Sequence, residues 1–189
     1  MLVIGSLRRA VDLAIAPKHR RMAVTFVDAG RDDLEAIAAL WFRAQAARRP
    51  GPFVTIADSR ALVAQRVAQP GSWFIFAAEG QRVVGIAYGA PGRNDDGLGK
   101  PIRGLLHLGM IAVEPHDWGR GIGKGLVQQS FAMARERAFR EMQLWTHADN
   151  LRAQKLFEGL GFTRSGRIKR DPRGETIVHY ACSLHTSAT

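Results

Sequence analysis

Four glycines on alternate positions, Gly119, Gly121, Gly123 and Gly125, follow directly on an apolar run and lead directly into a helical pattern. That order limits what residues 105–126 can form. The run LLHLGMIAV suits a buried strand, which Glu114 and Pro115 end. Val127, Phe131, Ala134 and Ala138 then recur at spacings of three and four, with Lys124, Gln128 and Arg135 on the other side, as in a helix with one apolar face. The first amides of a helix have no intrahelical acceptor and carry the positive end of its dipole, and glycines let the backbone close on an anion without side chains in the way. A pyrophosphate is the natural guest, with Arg120 and Lys124 adding positive charge beside it. A glycine-rich turn with no ligand is the competing reading, but it leaves the entropy cost of four glycines unexplained.

Two familiar phosphate loops fit poorly. A Walker loop needs Gly-Lys followed by Ser or Thr, and Gly123-Lys124 is followed by Gly125. A dinucleotide fingerprint comes early in a βαβ unit, with an acidic residue ending the next strand; this turn comes late, and Trp145 and Thr146 end the strand after it.

The residues resemble instead the GCN5-related N-acetyltransferases, whose central motif is a strand closing on a Val-x-Pro-like step, then Gln or Arg, two residues and Gly-x-Gly. Val113-Glu114-Pro115 followed by Gly121-Ile122-Gly123 has that spacing, and a second block of the family appears as Asn150, Ala153, Phe157, Gly161 and Phe162. The resemblance runs from about Val24 to Leu184. There are departures. In the register set by Val113 and Pro115 the Gln or Arg position holds Trp118, whereas a register shifted to Arg120, Gly123 and Gly125 fits the letters and spoils the spacing to the strand. Phe157 stands where many members carry the tyrosine that protonates the departing CoA thiolate.

The resemblance implies acetyl-CoA as acyl donor and direct transfer to a primary amine of a small molecule or protein. Backbone groups of Ile111, Ala112 and Val113 would hold the pantetheine arm, where this strand splays from its neighbour. The amides of Gly119, Arg120, Gly121, Ile122, Gly123 and Lys124 would take the pyrophosphate, Asn150 would bond the pantetheine region, and Phe157 would pack at the thiol. For the catalytic base the expectation is His107, on the central strand where the histone-acetylating branch has a glutamate, because imidazole titrates near neutral pH. His147 and Glu79 are the alternatives, and a packing role for His107 is the bland one. The histidines show no metal-ligand spacing, so no metal is expected. An acyl-CoA-binding module with little catalysis is the rival that the missing tyrosine permits.

At 189 residues the chain suits one domain, and its 46% hydrophobic and 23% charged residues are ordinary for a soluble globular protein. Cys182, the single cysteine, excludes an internal disulfide framework and fits a reducing, cytoplasmic setting. Of the net charge of +10, +4 lies in residues 1–21, where Arg8, Arg9, Lys18, Arg20 and Arg21 face Asp12. That leader is read as a basic extension and residues 22–189 as the domain. Its apolar residues are too broken to span a bilayer or to serve as a secretory signal. A basic face concentrates an anionic ligand such as CoA, and no recognised motif supports nucleic-acid binding. A homodimer is compatible with these features.

Hydrophobic periodicity predicts strands at 24–28, 73–78, 82–90, 142–146, 163–168 and 176–184 besides the central one. Helices are predicted at 32–47, from a Ser59 cap to about 69, after the glycine turn, and at 151–159. Residues 48–58, 91–103 and 169–174 read as loops. Asp95 and Asp96 in the second loop are either a lure for a cationic amine or a solvated tip. In the family the first helix pair borders the acceptor, so Trp41 and Phe53 are candidate pocket residues or plain core. The fold class is therefore α/β: a single GNAT-like domain with a mixed, mostly antiparallel twisted sheet and helices on both faces.

Overall fold

The computed structural model describes residues 23–49 and 55–184. The predicted basic leader and Phe53 lie outside these residues. Seven strands form one sheet: β1 (Val24–Ala29), β2 (Trp73–Glu79), β3 (Arg82–Arg93), β4 (Pro101–Val113), β5 (Glu141–His147), β6 (Thr163–Arg170) and β7 (Thr176–Ser183). They lie in the order β1-β2-β3-β4-β5-β7-β6. Every adjacent pair is antiparallel except β4 and β5. These two are joined by a crossover through α3 (Ile122–Glu136), the kind of connection a parallel pair requires.

The helices divide between the two faces. On one, Ile37, Ala38, Leu40 and Ala44 of α1 (Leu34–Arg48) and Val63 of α2 (Ile56–Val67) bury against Phe74, Phe76, Ile86, Tyr88, Met110 and Ala112. On the other, Ile122, Leu126, Val127 and Ala134 of α3, with Phe157 of α4 (Leu151–Glu158), bury against Trp73, Ile75, Leu106, Leu108, Met142 and Leu144. Leu126 and Val127 are fully buried, and each such side chain contributes about 1.5–3 kcal/mol, which fixes the start of α3 against the sheet. The outer strand β6 carries Arg164, Arg167, Lys169 and Arg170, charges that discourage edge-to-edge pairing and account for part of the basic excess.

Three departures from the sequence reading have local causes. Helix α2 is capped by Thr55, whose side chain accepts from the Asp58 amide at 3.0 Å while Asp58 reaches back to the Thr55 amide at 3.1 Å. Ser59, the predicted cap, is instead buried one turn in and donates to the Thr55 carbonyl. The predicted 91–103 loop shortens to 94–100, because β3 and β4 stay paired out to Arg93 and Pro101 across an irregularity at Pro91. The connection contains a short 3-10 turn, Asp95–Gly97, and Asp95 is exposed there. Finally, pairing of β3 with β4 passes from Gly89–Leu108 to Tyr88–Met110, leaving Gly109 as an extra residue. This bulge reverses the alternation of β4, so that Leu106 and Leu108 face α3 whereas Met110 and Ala112 face α1.

Candidate acetyl-CoA and acceptor site

The parallel pairing of β4 with β5 is short: Leu105–Glu141, Leu106–Met142 and His107–Gln143. Beyond it the strands part, and alternate residues of Leu108 to Val113 keep their hydrogen bonds to β3 while the others turn amides and carbonyls into the gap. Two hollows meet there. The first, about 490 Å³, is walled by Ile111, Ala112 and Val113, by Trp118, Gly119, Gly121, Ile122, Gly123 and Lys124, and by Asn150, Arg152, Ala153 and Leu156. The second, about 500 Å³, shares Ile111, Gln45, Arg48, Asn150, Ala153 and Leu156 with it and extends to Trp41, Arg66, Trp145, His147, Phe157, Asp171 and Arg173. Both volumes are those of small-ligand sites.

The floor of the first hollow is the glycine turn. Gly119 and Gly121 have φ of 84° and 79°, in the left-handed region that favours glycine, and Gly121 caps α3. The first bond closing on this cap runs from the Gly125 amide to the Gly121 carbonyl at 3.0 Å, which leaves the amides of Ile122, Gly123 and Lys124 at the free helix end. A β-carbon on Gly123 would touch Leu156 and Val113 across the groove, and one on Gly125 would stand 2.4 Å from the Phe26 ring. The four glycines therefore do three different things: two turn the chain, one keeps the groove open, and one lets α3 settle on β1.

The arginine of the turn is committed elsewhere. Arg120 bonds Glu79 at 2.9 Å and also pairs with Asp117, and Arg82 pairs with the same two carboxylates. Asp117 is 5% exposed. Hydrogen bonds from Arg82 and then Arg120 hold its pKa below the usual carboxylate range. This network ties the β2–β3 hairpin to the turn and keeps the Arg120 side chain there; Arg120 is not among the residues that wall the groove, and Lys124 is an exposed cation that does line it. Val113 is likewise partly engaged: its carbonyl accepts from Trp118 Nε1 at 2.8 Å. The Arg152 guanidinium lies 4.8 Å from the centre of the Trp118 ring. The sequence marked Trp118 only as a departure from a motif, and Arg152 had no signal beyond its place in the first turn of α4.

Asn150 caps α4 by accepting from the Ala153 amide at 3.3 Å, which leaves its Nδ2 hydrogens for a ligand. Gln154 donates to the carbonyls of His147 and Ala148 at 3.0 and 2.9 Å, pinning the end of β5 to α4. Phe157 is buried between Phe162 and Tyr180 and borders the second hollow, with no hydroxyl to offer.

Of the three candidate bases, only His147 lines a hollow. Its Nε2 lies 2.9 Å from Glu175 and 3.4 Å from Asp171. Burial, with the charge of Arg48, lowers its pKa against the pull of Asp171, so the ring is neutral at pH 7. Arg48 and Arg49 pair with Glu175 and Asp149 around it. His107 sits between Leu106 and Leu108 and turns to the opposite face from them. Its Nδ1 is enclosed and without a partner, and burial, then the charges of Arg66, His179 and Lys169, push its pKa down to about 4. Glu79 is held by Arg120 and Arg82 at the hairpin.

A sequence profile described as "Acetyltransferase (GNAT) family" matches residues 34–162, which carry both hollows' main walls. The chain belongs to this family. N-acetyltransferase 8B of Homo sapiens is 32% identical over 138 residues, covering 71% of this chain and 58% of that protein. The mycothiol acetyltransferase of Thermobispora bispora is 30% identical over 135 residues, covering 71% and 44%. The chain thus spans about half the length of the curated relatives it matches. Among solved structures, a putative acetyltransferase from Salmonella typhimurium, determined with its cofactor acetyl-CoA, superposes with a TM-score of 0.66 at 20% identity, covering 88% of this chain and 97% of that one. This GNAT fold, with its single parallel strand pair and mixed sheet, is the architecture expected from the sequence. Among the described residues no helix is long and apolar enough to cross a membrane.

Proposed function

We propose that the protein transfers the acetyl group of acetyl-CoA directly to a primary amine. The observation that carries the reading is the meeting of the two hollows at the gap between β4 and β5, one ending on free helix amides and the other on a neutral imidazole. The pyrophosphate would take the amides of Ile122, Gly123 and Lys124, with those of Gly119, Arg120 and Gly121 around it and the Lys124 ammonium alongside. The pantetheine arm would run along Ile111, Ala112 and Val113 to Asn150, and the thioester would lie over Phe157.

In this reading His147 takes the role of base. A proton on Nε2, bonded to the Glu175 and Asp171 carboxylates, leaves the Nδ1 lone pair to accept a proton from the incoming ammonium. The freed amine attacks the thioester carbonyl, the C–N bond forms, the nitrogen gives its second proton to solvent, the C–S bond breaks with CoA departing as its thiolate, and His147 returns its own proton to solvent. A thiol pKa near 8.5 makes that departure tolerable without a tyrosine, and the thiolate then takes a proton from water. Alignment of the two reactants supplies much of the remaining rate. A covalent acyl-cysteine has no support, since Cys182 lines neither hollow and burial raises its thiol pKa to about 11.

Phe157 favours one second reading, acyl-CoA binding without turnover. The deciding experiment measures acetyl-CoA affinity and, in the same preparation, release of free CoA thiol over a panel of primary amines. Binding with turnover supports transfer, binding without turnover supports the second reading, and absence of binding refutes both.

A further inference from the structure

The second hollow contains a guanidinium, beside Tyr88, that meets no carboxylate among the described residues. Arg66, in the last turn of α2, supplies it. Its Nε is enclosed and bonded to nothing, and its guanidinium lies 5.5 Å from the centre of the buried Tyr88 ring. Among the described residues no carboxylate is within ion-pair distance of it. The contrast is with Arg48 in the same hollow, which has Asp149 at 3.7 Å and Glu175 at 3.8 Å. Buried donors without acceptors cost stability, and a ligand anion removes that cost.

The remaining lining points the same way. Three arginines, Arg48, Arg66 and Arg173, face two aspartates. Both aspartates are occupied: Asp58 caps α2, and Asp171 accepts from the amides of Arg173 and Glu175 and lies beside His147. Between the charged groups the wall is apolar, with Trp41, Leu62, Met110, Trp145 and Ile177. A polycationic amine would meet Arg66 as a like charge.

We propose that the acceptor is a small amine that also carries a carboxylate and an apolar body, as an apolar α-amino acid does, with Arg66 holding the carboxylate. The guanidinium fork matches a carboxylate with two parallel hydrogen bonds, whereas the amine is left to face His147. This rests on the acetyltransferase reading for the fate of the amine, but the carboxylate site stands on the geometry of Arg66 alone.

The test compares matched pairs of acceptors, such as phenylalanine with phenethylamine, which differ by the carboxylate. The wild-type protein is expected to favour the carboxylate member by at least about 30-fold in kcat/KM, and Arg66→Gln to reduce that ratio to within about 3-fold. Because the readout is a ratio, a partly unfolded variant does not mimic the result. Equal or better use of the carboxylate-free amine by the wild type overturns the proposal, as does an unchanged ratio in Arg66→Gln. If no amine releases CoA thiol, the acetyltransferase reading fails by itself. The carboxylate site is then tested by titrating N-acetylphenylalanine onto the CoA-saturated protein: about tenfold weaker binding by Arg66→Gln upholds it, and equal binding by the folded variant refutes it.

Discussion

The two hollows that meet at the β4–β5 gap are built in opposite ways. The donor groove is made largely of backbone supplied by one continuous segment: the end of β4, the glycine turn and the first turn of α3. The acceptor hollow draws side chains from α1, α2, β4, β5, α4, β7 and the turn between β6 and β7, so its wall runs from Trp41 to Ile177 along the chain. A backbone site tolerates little change in conformation and much change in side-chain chemistry. A side-chain site has the reverse sensitivity, which suits one fold that keeps its donor while its acceptor varies.

That comparison is broken most severely at Gly121. Gly121→Val forces a β-branched residue into the left-handed region, where such residues are genuine outliers, and displaces the amides of the turn. Losing two charge-assisted hydrogen bonds costs about 3–4 kcal/mol, so acetyl-CoA affinity measured by calorimetry should fall by roughly 200-fold or more. Gly125→Ala sharpens the point, because its β-carbon meets Phe26 rather than a ligand. It should destabilise the fold by about 1–3 kcal/mol in denaturant titration and change acetyl-CoA affinity little in the protein that remains folded.

On the acceptor side the largest effect is expected at His147. His147→Gln should lower kcat by about 100-fold while sparing acetyl-CoA affinity. The wild-type rate should rise with pH through an ionisation below the ordinary imidazole value, as burial lowers that pKa, and the variant should lose the inflection. His107 should behave differently. Its folded pKa of about 4 lies below the unfolded value near 6.5, so between these values the unfolded chain binds more protons and stability falls as the pH drops. The loss should approach about 3 kcal/mol by pH 4, and His107→Gln should remove this part of the acid sensitivity without removing the pH inflection of the rate. Smallest of all is Phe157→Tyr, which should leave kcat within about 3-fold; a gain of about 100-fold would mean that the natural protein lacks an acid it needs and would favour binding without turnover.

The same contrast explains what was legible in the sequence. The strand, glycine turn and α3 are contiguous, so a local pattern of apolar spacing and glycines was enough to locate the turn and helix start that wall the first hollow. It could not distinguish Gly125, which meets Phe26, from Gly121, which turns the chain, since a contact with β1 has no local signature. Nor could it tell that Arg120 is drawn to Glu79, 41 positions away. The bulge at Gly109 shifts the face that each residue of β4 presents, and period-two reading cannot register it. His107 therefore looked equivalent to a residue of the open cleft. The neighbours that set the surroundings of His147 and Arg66, Glu175 and Tyr88 respectively, come near only in the assembled fold.

The most direct test of the account is a crystal structure of the protein with acetyl-CoA. It should have the pyrophosphate on the amides of Ile122, Gly123 and Lys124, the pantetheine between β4 and β5, and the thioester over Phe157 facing the hollow that His147 lines. A pyrophosphate bound away from the start of α3, or a thioester directed away from His147, would contradict it.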